Sequence, residues 1–130
     1  MRVLITGVAG QDGTILAHAL EREGAGVVGL VKPGHAWHEG ARLKRYAPSL
    51  EIRECDLADA ATLKEIVIDA QPDQIFNFGG ISSVVESVNN PELTHQINVG
   101  SVEAILEGMR GLKVSGKISS PCCRSIRHHL

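Results

Sequence analysis

Apolar residues first gather as Arg2-Val3-Leu4-Ile5-Thr6, a run closed by Gly7 and lacking the alternation of a surface strand. Such a run predicts a strand buried on both faces within a parallel sheet. From Gly13 to Glu23 the period changes. Ile15, Leu16, Ala19 and Leu20 recur on one helical face, and Gly24 stands where a left-handed cap ends a helix. Val27 to Val31 predicts a second buried strand, so the first forty residues spell a βαβ unit. Lys32 to Ser49 is polar and punctuated by Pro33, Gly34, Gly40 and Pro48, which leaves at most one helical turn around Arg42 to Tyr46. Leu50 to Glu54 alternates as a third, outer strand.

Asp59 is placed to cap a helix carrying Leu63, Ile66, Val67 and Ala70, which Pro72 ends. Gln74 to Phe78 is the fourth strand. A loop rich in Gly, Ser and Asn leads to Pro91, where a longer helix begins with Leu93, Ile97, Val102, Ile105, Leu106 and Met109 as its buried side. After Gly111 the pattern degrades. Val114 to Ser119 is a candidate fifth strand interrupted by Gly116 and Lys117, and "PCCRSIRHHL" has no periodicity of either kind. The expected fold is α/β, a Rossmann-type doubly wound parallel sheet stopping after its fourth or fifth strand. Residues 1–118 form the incomplete domain, and 119–130 an irregular tail foreign to what precedes it.

Composition narrows the function more than the fold. The chain has 130 residues, 43% hydrophobic and 22% charged, which suits one domain with one core. A formal charge of −2 supplies no basic field for nucleic acid or an anionic membrane. The apolar runs are far shorter than the roughly 20 residues of a membrane helix, and the start lacks a signal peptide's pattern, so the expected compartment is the cytoplasm. Cys55, Cys122 and Cys123 form neither an even disulfide framework nor a metal-binding spacing and are expected as reduced thiols. No metal site is expected from the six histidines, His128 and His129 included.

Candidate chemistry lies in "TGVAGQDG", residues 6–13. Chance readily supplies three glycines at this spacing in a chain with 14 of them, but these fall between a strand and a helix. A diphosphate at a helix N-terminus meets unpaired backbone N–H groups and the positive end of the helix dipole, provided no Cβ holds it away. Gly7 permits the tight turn, Gly10 close approach of the diphosphate, and Gly13 close helix packing. An NAD site commonly carries an acidic residue about 20 positions further on. Lys32 stands there instead, with no Asp or Glu until Glu39, so NADP is the expected cofactor and NAD the less favoured one.

These residues resemble the extended short-chain dehydrogenase/reductase family of sugar-nucleotide enzymes over about residues 1–110. Gln11-Asp12-Gly13 points to the GDP-mannose 4,6-dehydratase branch, where most extended members carry an apolar pair. "CDLAD" at 55–59 is similar to the family's Asp-Leu pair, which implies Asp56 and Leu57 beside the adenine. "IFNFGGISSVVES" at 75–87 is similar to its Asn-Leu-Ala-Ala-Gln-Ser-His-Val stretch. That likeness implies Phe78, Gly79 and Gly80 beside the nicotinamide ribose and Ser82, Ser83 and Val84 on the substrate side. On the residues alone, Asp56 can also simply cap the helix region that follows, and Gly79-Gly80 can be a flexible exit from the fourth strand, the less favoured reading of each.

Departures qualify the likeness. Gly79 and Gly80 replace two alanines, predicting a looser loop, and Ile81 replaces a polar residue. Ser101 and Val102 stand where Gly and Thr are expected, predicting altered helix packing. The resemblance implies a reaction in which hydride leaves sugar C4 for NADP, water is lost across C5 and C6, and the hydride returns to C6. A serine or threonine, a glutamate and a Tyr-x-x-x-Lys pair perform it. A tyrosine serves as base near neutral pH only beside a cation that lowers its pKa. The one tyrosine, Tyr46, has Leu50 at i+4 and lies before the third strand. Ser119 and Ser120 are the remaining candidates for the catalytic serine, but Pro121 and Cys122 follow them.

The expectation is therefore an NADP-binding amino-terminal part of a dehydratase of GDP-mannose, inactive alone and cut short near residue 112 as a frameshift or premature stop would do. A sugar-nucleotide epimerase or reductase is the second reading, and a nonenzymatic NADP-binding module or subunit the third. A sheet stopped so early leaves an apolar edge, and self-association through that edge is expected.

Overall fold

A computed structural model describes residues 1–80, 84–110, 112 and 118–119. The strands β1 (Arg2–Thr6), β2 (Gly26–Val31), β3 (Glu51–Glu54), β4 (Gln74–Asn77) and β5 (Ile118–Ser119) form one sheet in the order β3-β2-β1-β4-β5. Every pairing is parallel. β1 lies at the centre with Val3, Leu4 and Ile5 fully buried, as its unbroken apolar run predicts. The chain reverses its direction of travel across the sheet between β1 and β4, which opens a crevice at their carboxyl ends. β3 is the outer strand, and its half-exposed, charged residues suit that place.

Helices cover both faces. α1 (Gln11–Arg22) and α2 (Ala36–Tyr46) pack with Val3, Ile5, Val27 and Val31, while α3 (Ala60–Ala70) and α6 (Ser101–Met109) pack with Leu4, Val28 and Ile75. Helix α1 ends as predicted: Gly24 has φ +84, its N–H donates to Glu21 O at 3.0 Å, and Ala25 N–H donates to Leu20 O at 3.1 Å. Its buried face differs from the expected one. Gly13, Thr14, Ala17 and Leu20 face inward, and Ile15 and Ala19 are exposed. The first turn must lie against the glycine loop, where a Cβ on Gly13 would come within 2.5 Å of Gly7 O, and that close fit rotates the small residues inward.

Helix α2 overturns the reading of Lys32 to Ser49 as a polar stretch with one helical turn. It runs for 11 residues, and its inward stripe, Ala36, Gly40 and Leu43 continued by Ala47, consists mostly of small residues that stand out little from their polar surroundings. Its start is held from a distance, because Gly34 N–H and Ala36 N–H donate to Glu54 Oε1 at 3.1 and 3.4 Å. Helix α3 follows the prediction closely. Asp59 caps it by accepting from Thr62 N–H at 3.2 Å and the Thr62 hydroxyl at 2.7 Å, bonds that hold its carboxyl below the usual aspartate range. Gln71, at φ +47, ends it before Pro72.

The expected loop after β4 contains a helix, α4 (Val84–Asn89), and Pro91 opens α5 (Pro91–His95) as predicted. A π-helical turn, Gln96–Gly100, then joins α5 to α6. Its wider winding breaks the 3.6-residue register, so the single predicted stripe fails. Ile105 is fully buried beside Ser101, Ala104 and Gly108, whereas Leu93 and Leu106 are exposed. Ser101 is fully buried and its hydroxyl has no partner among the described residues. β5 takes in Ser119, opposite Phe76, so the strand reaches one residue into the expected tail. Ser120, Cys122 and Cys123 lie outside the described residues. Among the described residues, no helix is long and apolar enough to cross a membrane.

Candidate functional site

The crevice at the strand ends is a cleft of about 830 Å³, lined among others by Gly7, Gly10, Lys32, Asp56, Leu57, Phe78, Gly79 and Gly80. This volume falls within the roughly 300–1,000 Å³ usual for small-molecule and cofactor sites. The residues come from four separate stretches, brought together because each follows a strand that points the same way. Gly13, Gln11 and Asp12 do not line it. Gly13 is buried beneath the loop, and Gln11 and Asp12 are exposed in the first turn of α1.

Each loop glycine answers to a different neighbour. Gly7 has φ +65, and a Cβ there would lie 2.6 Å from Gly79 N. Gly10 has φ −69 and ψ 169, extended backbone open to any residue, and its Cβ would meet only Gly7 O at 3.4 Å. Among the described residues, none crowds a Cβ at position 10; the space it would enter is the cleft itself. Gly10 also caps α1 without a side-chain hydrogen bond, which leaves the first N–H groups of that helix to other acceptors. A diphosphate fits this cradle on both counts.

Beneath the cradle, the Thr6 hydroxyl donates to Asn77 Oδ1 and accepts from Gly79 N–H at 3.0 Å. Thr6 and Asn77 are buried, so this polar link ties the loop after β4 to β1. The space beside Gly79 is filled. A Cβ there would lie 2.4 Å from Leu57 Cδ1, so Leu57 occupies the room that an alanine would need. Asp56 does both things open to it: it lines the cleft, and its Oδ1 accepts from Ala58 N–H at 2.9 Å.

Side chains with no local signal join the site. Glu39 and His35 line the cleft beside Lys32, with His35 Nδ1 3.7 Å from Glu39 Oε1, and Arg42 donates to Ala9 O of the glycine loop. All three belong to the start or body of α2, the helix that periodicity misses. Leu93 and Ile97, read as core, also face the cleft. Cys55 lines it too, and burial, reinforced by the Asp59 and Asp56 charges, pushes its thiol up to about 11. It is therefore a neutral thiol at ordinary pH and no nucleophile. Ser82 and Ser83 lie outside the described residues, Val84 opens α4, and Ser119 sits in β5.

Comparison with known proteins places these features in a group. The family profile for GDP-mannose 4,6 dehydratase matches residues 4–124, past the point near 110 where the sequence pattern weakens. A GDP-mannose 4,6-dehydratase of Yersinia enterocolitica is 31% identical over 115 residues, covering 84% of this chain and 31% of that protein. A UDP-glucose 4-epimerase of Mycolicibacterium smegmatis is 31% identical over 110 residues, 85% of this chain and 35% of its own length. Among solved structures, UDP-glucose-4-epimerase from Stenotrophomonas maltophila with bound NAD and formylated UDP-arabinopyranose superposes with a TM-score of 0.74 at 25% identity, over 88% of this chain and 34% of that one. The chain thus spans about a third of the length of the curated relatives it matches.

Proposed function

The chain belongs to the GDP-mannose 4,6-dehydratase family, and on that premise we propose that its cleft is the NADP-binding part of an enzyme converting GDP-mannose to the 4-keto-6-deoxy sugar nucleotide. The observation that carries this reading is Gly10: it is sterically free, faces the cleft and stands before an uncapped helix N-terminus. In this reading Gly7 and Gly10 admit the diphosphate, Asp56 and Leu57 flank the adenine, and Phe78, Gly79 and Gly80 flank the nicotinamide ribose. Lys32 supplies a cation for the 2′-phosphate. Bound there, a nicotinamide dinucleotide would supply hydride-transfer chemistry, and these residues would hold and orient it. Ser82, Ser83 and Val84 are proposed on the substrate side, and Ser119 or Ser120 as the serine of the reaction.

The chain alone is proposed to bind without turnover. Tyr46, the one tyrosine, ends α2 and is half exposed, with Leu50 at i+4 where a Tyr-x-x-x-Lys pair has its lysine. The cytoplasm is the proposed compartment. A UDP-sugar epimerase is the second reading, supported by the Mycolicibacterium and Stenotrophomonas likenesses, while Gln11-Asp12 favours the dehydratase. Titration of NADPH fluorescence tests the binding: saturable enhancement is expected, and its absence would remove both readings. Turnover of GDP-mannose by this chain alone would overturn its proposed incompleteness.

A further inference from the structure

Lys32 is the cation that the sequence sets at the end of β2, but the fold adds two ionisable side chains to the same end of the cleft. His35 and Glu39 both line it, one helical turn apart at the start of α2, with 3.7 Å between His35 Nδ1 and Glu39 Oε1. The backbone there offers a phosphate little, because the N–H groups of Gly34 and Ala36 already donate to Glu54 Oε1. Recognition at this end falls to side chains. One of them is a carboxylate, which repels a phosphate dianion and accepts a hydrogen bond from a hydroxyl.

Resting on the reading of this cleft as a dinucleotide site, we propose that Glu39 is a specificity-determining residue that accepts from the 2′-hydroxyl of NAD and opposes Lys32, so that the chain binds NAD and NADP with comparable affinity. The pattern that favours NADP is local to β2; the residue that offsets it comes from α2, a helix whose inward stripe is mostly small residues. Glu39 is half exposed, and among the described residues its side chain pairs with the neighbouring His35, so removing its charge leaves the packing of α2 on Leu43 intact.

The test is a binding measurement. Trp37, the one tryptophan, is exposed on α2 between His35 and Glu39, and energy transfer from it to a reduced nicotinamide reports occupation of the cleft. The natural chain, Glu39→Gln and Lys32→Gln are titrated with NADPH and with NADH, and circular dichroism confirms that each variant is folded. A Kd ratio within about threefold of unity is expected for the natural chain, and Glu39→Gln is expected to shift it about tenfold toward NADPH. Lys32→Gln is expected to shift it as far toward NADH. Glu39→Ser, shorter and also neutral, is expected to move the ratio the same way as Glu39→Gln. An unchanged ratio in both Glu39 variants would overturn this assignment while leaving the dinucleotide site intact. Failure of the natural chain to bind either dinucleotide would instead overturn the site, and this assignment with it.

Discussion

Gly10 is set apart from Gly7 and Gly13 by what surrounds it. A Cβ on Gly7 would meet Gly79 N at 2.6 Å, and one on Gly13 would meet Gly7 O at 2.5 Å, both backbone atoms that cannot swing aside. Gly7→Ala adds strain from φ +65 to that collision, and large destabilisation is expected, about 2 kcal/mol or more in a chemical denaturation curve. In Gly10→Val, by contrast, the Cβ meets one atom, Gly7 O, at 3.4 Å and the backbone stays allowed. It is expected to leave the thermal midpoint nearly unchanged while weakening NADPH about tenfold or more, since the added methyls occupy the cradle. Equal loss of stability in the two variants would show that Gly10 has a structural task instead. One spacing motif thus separates into two glycines that build the loop and one that leaves it open.

The carboxyl ends of β1 and β4 are joined by a side-chain link rather than by the ladder alone. Thr6→Val keeps the shape of the residue but leaves Asn77 Oδ1 and Gly79 N–H without their partner, a loss expected to cost about 1–3 kcal/mol. NADPH affinity is expected to fall with it, because Gly79 loses its anchor; unchanged affinity in a destabilised variant would show that the loop is held by Leu57 alone. Elements of this kind differ in how far the sequence discloses them. β1 and α3 were legible because burial on both faces and a capped apolar stripe leave direct traces in residue order. α2 left a fainter one, since its inward stripe of Ala36, Gly40, Leu43 and Ala47 has a single large apolar side chain and its start is fixed by Glu54 from the next strand. The π-helical turn at Gln96–Gly100 defeats any reading based on a constant period, which is why Leu93 and Ile97 were assigned to the core when they face the cleft. The glycine loop and the strand ends were readable residue by residue, whereas His35, Glu39 and Arg42 entered the site only through the folding of that unannounced helix.

Across the molecule the sheet has two unlike margins. β3 presents Glu51, Arg53 and Glu54, charges that discourage pairing with a second sheet. On the side toward β5, the partly buried Phe76 and Phe78, 6.1 Å apart, pack against the core cluster that α1 and α2 cover. Association through that side is the expectation, visible as a sedimentation coefficient that rises with concentration; a monodisperse monomer across the accessible range would contradict it. The same sheet also determines how the cofactor arrives. Val8, fully buried, seats its methyls in a notch of β2 that exists because residue 29 is glycine, where a Cβ would lie 2.7 Å from Val8 Cγ1. The cradle is therefore clamped to the sheet before any ligand comes, and association needs no prior ordering of the loop. In stopped-flow mixing, the observed rate should climb in proportion to NADPH concentration without reaching a plateau. Gly29→Ala, by forcing Val8 out of its seat, should introduce one, turning a single collision into a slow rearrangement followed by capture.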